Sequence, residues 1–206
     1  MKRKIAEQFR KPSGFWGKLV ALLMKKSNRP SYEAIINQLK INDQDKVLEI
    51  GYGHGEAIKV IGERNKNCHL SGIDFSELMF KQALKNNTRL SSEGRLDLKY
   101  GDFLNYNFKE SSYSKIFCVN VIYFWDDLLA GFKKVYEILE SGGLYGIYMA
   151  TPEDLMKIQF ARTDIFNKHS VESVQELLLR AGFQEVIPDY FHHGPAARGY
   201  LVIAKK

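Results

Sequence analysis

An apolar segment, Lys46-Val-Leu-Glu-Ile50, runs straight into Gly51-Tyr-Gly53-His-Gly55, three glycines at alternate positions. The segment reads as a short strand ending in a tight turn, because glycine lets the backbone reverse and lets a ligand approach it closely. A helical pattern follows over residues 57–64. Strand, glycine turn and helix in that order are the opening unit of an α/β layer structure, and they set the frame for everything downstream.

The alternation continues. Residues 68–73 form a strand that ends at Asp74, Ser76 caps a helix from 77 to about 90, and 96–100 alternate as a strand before Gly101-Asp102. Residues 113–121 are an apolar strand. Asp126 or Asp127 starts a helix to 140, which Ser141-Gly142-Gly143 ends, and 144–150 are a strand. Ser170 caps a helix to 181. The last two strands, 184–190 and 200–204, flank a turn at Gly194-Pro195. They lie too close together for a crossover helix and must be antiparallel. The expected product is an α/β domain with a mostly parallel sheet, whose ligands bind beyond the carboxyl ends of the strands.

Composition limits the alternatives. A chain of 206 residues, 45% hydrophobic and 26% charged, is long enough to bury a core without a disulfide or metal staple and is not disordered. Cys68 and Cys118 are too few for a disulfide framework or a four-cysteine zinc site, and both sit among apolar residues as expected of buried thiols in a reducing compartment. The net charge of +6 is uneven: residues 1–30 hold nine Lys/Arg and one acid, Glu7, so the remainder is slightly acidic. Residues 1–14 are polar and broken by Pro12-Ser13-Gly14, 15–26 form a short amphipathic helix, and Ser31 caps a second helix over 32–39. A basic arm of this kind meets an anionic partner or is simply solvated. Its apolar run of six residues, 19–24, falls far short of the roughly 20 needed to span a bilayer. No signal-peptide pattern follows Lys2-Arg3-Lys4, so a cytoplasmic location is expected.

The chemistry-bearing residues follow the strand ends. Asp74 lies nineteen residues after Gly55, where a carboxylate accepts the hydroxyls of a ribose. Asp102-Phe103 after the third strand pairs an acid with an aromatic ring, suited to an adenine amino group and face. The spacing Gly-x-Gly-x-Gly, with Glu56 next, departs from the Gly-x-Gly-x-x-Gly of dehydrogenases. Glu49 places a charge where a pyrophosphate would be repelled.

Over residues 31–206 the chain resembles a class I S-adenosylmethionine-dependent methyltransferase, with a finer likeness to bacterial small-molecule and quinone-biosynthesis-type members. Glu49 to Gly55 match the family's acidic-x-Gly-x-Gly-x-Gly motif, Asp74 its ribose-binding acid, Phe75 an adenine-packing position and Asp102-Phe103 its adenine-edge motif. Asn120-Val121 match the end of the fourth strand, and Leu139 to Gly143 the "L-x-P-G-G" turn, with Ser141 where proline is common. The resemblance implies a Rossmann-like seven-stranded sheet, mostly parallel with an antiparallel last strand, helices on both faces and an N-terminal helical lid. It implies residues 1–30 as arm and lid and 31–206 as the S-adenosylmethionine-binding domain. The cofactor-binding set is then Glu49, Gly51, Tyr52, Gly53, Gly55, Asp74, Phe75, Asp102, Phe103, Asn120 and Val121.

The implied reaction is an in-line methyl transfer in which the protein mainly supplies alignment. Candidates for a general base, if the acceptor must lose a proton, are His54 in the glycine turn, Tyr123 after the fourth strand, and His192 and His193 between the last two strands. Ordinary packing is the competing reading for Tyr123, and a solvent-facing loop for His54. No metal-ligand spacing is present. Asn120-Val-Ile-Tyr123 lacks the two prolines of base-amine methyltransferases, which leaves a small-molecule acceptor, lipid- or quinone-like if the 15–26 helix rests on anionic lipid. An RNA methyltransferase using the basic arm, a non-catalytic binder and a nicotinamide oxidoreductase are the alternatives, with nucleic acid disfavoured.

Overall fold

The computed structural model describes residues 1–192 and 198–206, with residues 18 and 20–27 described by their backbone alone. The sequence-expected turn at Gly194-Pro195, and His193, lie outside the described residues.

Seven strands form one sheet: β1 (Lys46–Ile50), β2 (His69–Asp74), β3 (Leu96–Tyr100), β4 (Tyr113–Val119), β5 (Leu139–Ala150), β6 (Glu185–His192) and β7 (Arg198–Lys205). Their order is β3-β2-β1-β4-β5-β7-β6. The first five pair in parallel, and β7 pairs antiparallel with both β5 and β6. The order reverses between β1 and β4, so a crevice opens beyond the carboxyl ends of those two strands.

The period of two along each central strand sends neighbours to opposite faces. Leu48, Ile50, Ile116 and Cys118 join one core cluster, with Phe132, Val135 and Ile138 of α6 (Leu128–Ile138) and Val174 and Leu178 of α8 (Val171–Arg180). Val47, Phe117 and Val119 join the other, with Ile35, Ile36 and Leu39 of α2 (Gly14–Leu39) and Ala57, Ile58 and Ile61 of α3 (Glu56–Arg64). Helices therefore cover both faces, and each fully buried Leu, Ile or Phe contributes about 1.5–3 kcal/mol. Both cysteines are buried, with thiols pushed up to about 12 by desolvation.

Four local expectations need correction. The two helices expected over 15–26 and 32–39 are one, α2, with Pro30 inside it. A mid-helix proline costs about 3 kcal/mol, but buried Ile35 and Leu39 pack against Gly146 of β5, and Asn28 bonds Asn120, so tertiary contacts hold the helix through the proline. The 30/31 boundary falls within this helix. The polar stretch at the start is a helix, α1 (Lys2–Arg10), anchored by buried Ala6. The helix expected over 77–90 divides into α4 (Glu77–Asn86) and α5 (Thr88–Ser92) at Asn87, whose side chain bonds the glycine turn. Ser141-Gly142-Gly143 is a bulge inside β5 rather than a free turn: Tyr113 pairs with Leu139, and the ladder resumes at Lys115 with Leu144. A short helix after β5, α7 (Pro152–Lys157), was not anticipated.

Candidate active site

The glycine turn carries β1 into α3 across the mouth of the crevice. Gly51, Gly53 and Gly55 all have positive φ, at 74°, 53° and 77°. A Cβ on Gly51 would lie 2.5 Å from Val121 Cγ2, so Gly51 is required by close approach of the loop after β4, whereas a Cβ on Gly53 would enter open space. The turn is pinned from two sides. Asp74 Oδ2 accepts the backbone N–H of Gly53 at 2.9 Å, and its Oδ1 accepts that of Ser76 at 2.8 Å. Asn86 and Asn87 donate to the carbonyls of His54 and Gly55, at 2.9 and 3.1 Å. The sequence reading missed these two asparagines. Their signal was weak: side chains that compete with the backbone, placed late in an otherwise good helix.

Two carboxylates share this region. Burial pushes Asp74 up to about 6, despite its two backbone donors. Glu49 is 1% exposed and is pushed well above the usual carboxylate range by desolvation and by Asp74. Its Oε2 is buried without a hydrogen-bond partner. Glu49 also raises the buried Tyr32 phenol, which desolvation shifts most. A buried acid oxygen lacking a donor is costly, and a cationic ligand group arriving nearby would favour the ionised form.

A cavity of about 200 Å³ lies against the turn. Of the expected cofactor residues it is lined by Gly51, Gly53, Asp74, Phe75, Asp102 and Phe103, together with Asn120 and Val121. Glu49, Tyr52 and Gly55 are not among the lining residues. The Tyr52 ring is 1% exposed and turns toward β2 and β3, where its hydroxyl donates to Lys99 O at 3.0 Å; it is a core residue. Gly55 is there for packing, since a Cβ would lie 2.6 Å from Asn87 Nδ2. Phe103 stacks on Trp125 with centroids 5.5 Å apart, so most of its ring area is spent on the core. Asp102 caps the turn after β3 through Leu104 N and Asn105 Nδ2.

The cavity is also lined by residues that no strand-end reading reaches. Phe9, Arg10 and Pro12 come from α1 and its exit, and Asn28 and Tyr32 from α2. The N-terminal segment is held down by three contacts: Phe9 stacks on Phe160 at 4.2 Å, Ser76 Oγ donates to Pro12 O at 2.6 Å, and Arg3 pairs with Asp164.

A second cavity, of about 320 Å³, adjoins the first, and both are lined by Phe9, Asn28, Asn120 and Phe124. Asn120, at φ 59°, donates from Nδ2 to Asn28 Oδ1 at 3.2 Å, and Tyr123 donates to Asn120 Oδ1 at 3.2 Å. The Tyr123 hydroxyl also accepts from Ala150 N, and burial raises its pKa far above the usual phenol range. Tyr123 thus lines the second cavity alone, with its hydroxyl held between Asn120 and Ala150. His54 lines the first cavity with its Nε2 3.9 Å from Glu56 Oε2. His192 is exposed and lines neither cavity, because it sits at the end of β6, two strands beyond β5. Among the described residues no group of three or more His, Cys, Asp or Glu is placed to hold a metal ion.

Comparison with known proteins identifies the family. Residues 47–143 match a family model described as "Methyltransferase domain". The chain is 33% identical over 135 residues to uncharacterized methyltransferase YdaC of Bacillus subtilis, covering 66% of this chain and 72% of that protein. It is 23% identical over 140 residues to a sterol 24-C-methyltransferase of Aspergillus fumigatus, covering 65% of this chain but only 37% of that one. Among solved structures, phosphoethanolamine N-methyltransferase 2 of Haemonchus contortus, in complex with S-adenosyl-L-methionine, superposes with a TM-score of 0.72 at 15% identity, over 86% of this chain and 52% of that one.

Proposed function

Since the chain belongs to the class I S-adenosylmethionine-dependent methyltransferase family, we propose that it methylates a small-molecule acceptor held in the second cavity. The observation that carries this reading is the shared wall: Phe9, Asn28, Asn120 and Phe124 line both cavities, so a group bound in one meets a group bound in the other.

The residues fit the cofactor. The open space over Gly53 accommodates a ligand against bare backbone. Asp74 keeps one lone-pair direction on each oxygen for ribose hydroxyls, and the partnerless Oε2 of Glu49 suits the ammonium of an amino-acid tail, directly or through water. S-adenosylmethionine, when bound, supplies a methyl group already activated on a sulfonium. What remains for the protein is alignment, where well-oriented reactants gain effective molarities on the order of 10⁵–10⁸ M. The Asn28–Asn120–Tyr123 chain fixes the shared wall, and the Phe9, Phe124 and Phe160 rings exclude water from it.

The N-terminal segment acts as a lid. Its latch contacts and its lining of both cavities support that role. The acceptor is proposed to be lipid- or quinone-like. Phe15 and Trp16 stand 77% and 69% exposed at the start of α2, beside the basic arm, which suits a peripheral contact with an anionic bilayer. No helix among the described residues is long and apolar enough to cross a membrane.

The test is incubation of the protein with cell extract and radiolabelled S-adenosylmethionine, followed by mass identification of the product. Label in an organic-phase small molecule is the expected result. Label in the RNA fraction would overturn the choice of acceptor, and no S-adenosylhomocysteine binding by calorimetry would overturn the cofactor site.

A further inference from the structure

The second cavity has two cationic side chains and one carboxylate in its lining. Its walls are mostly apolar: Phe124, Tyr148, Leu155, Ile158, Phe160 and Phe166. Three side chains of charged type join them: Asp154, Lys157 and Arg198. Asp154 is already committed. Its Oδ1 lies 2.6 Å from Lys157 Nζ, and its Oδ2 accepts from Thr151 Oγ1 at 3.3 Å. Arg198 acts on Asp154 through its charge, yet its Nε is buried without a hydrogen-bond partner. A guanidinium has five N–H donors and cannot shed its charge, so a desolvated Nε–H with no acceptor is a standing cost in this chain.

Arg198 is put there by the sheet. It opens β7, directly opposite His192, and its neighbour Gly199 pairs with Ala150 at the end of β5. A Cβ on Gly199 would lie 2.1 Å from Met149 O, so only glycine lets β7 close on β5 at this point and set Arg198 at the cavity rim. This is the same sheet edge that carries the glycine turn and Asn120, because β7 runs opposite to β5.

We propose that Arg198 is the specificity-determining residue of the acceptor cavity, and that the acceptor is an apolar, ring-bearing molecule with one acidic group, a carboxylate being the best match to the fork of the guanidinium. The apolar body is then held among Phe124, Phe160 and Phe166, and the acid by Arg198, all of which line this cavity but of which only Phe124 also lines the first. The inference rests on the methyltransferase reading of the two cavities and narrows its substrate class.

The experiment is calorimetry on the full chain, first with S-adenosylhomocysteine, then on the saturated protein with 2-naphthoate and with the neutral isostere 2-naphthamide. The expected result is that naphthoate binds about tenfold or more tightly than naphthamide, the scale of a charge-assisted hydrogen bond. Arg198→Gln should erase that preference with S-adenosylhomocysteine affinity unchanged, and Arg198→Lys should restore part of it. Equal affinity for the two probes, a preference that survives Arg198→Gln, or no naphthoate binding at millimolar concentration would overturn the proposal while leaving the cofactor site standing. Loss of S-adenosylhomocysteine binding in the native chain would instead remove the reading beneath it.

Discussion

Asp74 Oδ2 lies 2.9 Å from the backbone nitrogen of Gly53, so the acid at the end of β2 holds the turn at the end of β1. One carboxylate thus shapes the turn and lines the first cavity. The two roles respond to pH in opposite senses. Asp74 is raised from 3.8 to about 6 by burial, so the folded state holds its proton more tightly than the unfolded chain. Its contribution to stability is fully present below pH 3.8 and is lost as pH rises through about 6. Ribose hydroxyls, however, donate to the ionised form, so cofactor affinity should rise over the same interval. S-adenosylhomocysteine titrations at pH 5 and pH 7.5 should differ by roughly tenfold in that direction. Asp74→Asn should flatten the profile, and Asp74→Ala should cost about 1.5–3 kcal/mol of binding at neutral pH.

Gly51 and Gly53 should fail differently. Both have positive φ, where an L side chain costs about 1–2 kcal/mol. Gly51→Ala also drives a Cβ into Val121, so its melting temperature should fall the more. Gly53→Ala meets nothing within 4 Å in the protein. Its stability loss should stay near the backbone cost alone, while Gly53→Val should abolish S-adenosylhomocysteine binding by filling the space over the turn. Thermal denaturation and calorimetry on the same preparations separate the two effects.

Glu49 should release a proton when the cofactor binds. Burial and Asp74 keep it protonated well above the usual carboxylate range, and a ligand ammonium would reverse that preference. Titrations at pH 7.5 in buffers of different ionisation enthalpy should report net proton release near this acid. Glu49→Gln should abolish it, since Asp74 is already largely ionised at that pH. Unchanged proton release in Glu49→Gln would place the source elsewhere.

Phe9 should slow cofactor escape. It stacks on Phe160 and lines both cavities, so Phe9→Ala removes a ring contact of about 0.5–1.5 kcal/mol without touching the glycine turn. Stopped-flow dissociation of S-adenosylhomocysteine should accelerate, with little change in association rate.

Phe15 and Trp16 pack edge to face with centroids 6.0 Å apart, and both are exposed. Replacing both with Ser should reduce co-sedimentation with vesicles containing anionic lipid and leave S-adenosylhomocysteine affinity intact. Equal co-sedimentation of the two proteins would remove the membrane contact.

The strands, their parallel pairing and the glycine turn were legible because each rests on a local pattern: apolar residues of period two, a stop at glycine, a cap at Ser76 or Ser170. The acids at 74 and 102 were legible because sheet topology sends strand ends to one edge. The single helix across Pro30 was not, since local rules favour a break there and only packing against β5 and the Asn120 contact outweigh them. Tyr52 shows the same limit at the site itself. Its place in the glycine motif reads as cofactor-facing, yet the alternation along the turn points its ring into the core beside Gly72.

Local chemistry in the linear order therefore carried the family resemblance, the sheet and the edge where its strands end. Folding alone decided what packs at that edge: Phe9 against Phe160, Asn28 against Asn120, and Arg198 beside a cavity lined in part by the segment between β5 and α8. Those partners are separated by many tens of residues. Their meeting depends on how helices and strands stack in three dimensions, and no short-range periodicity encodes that.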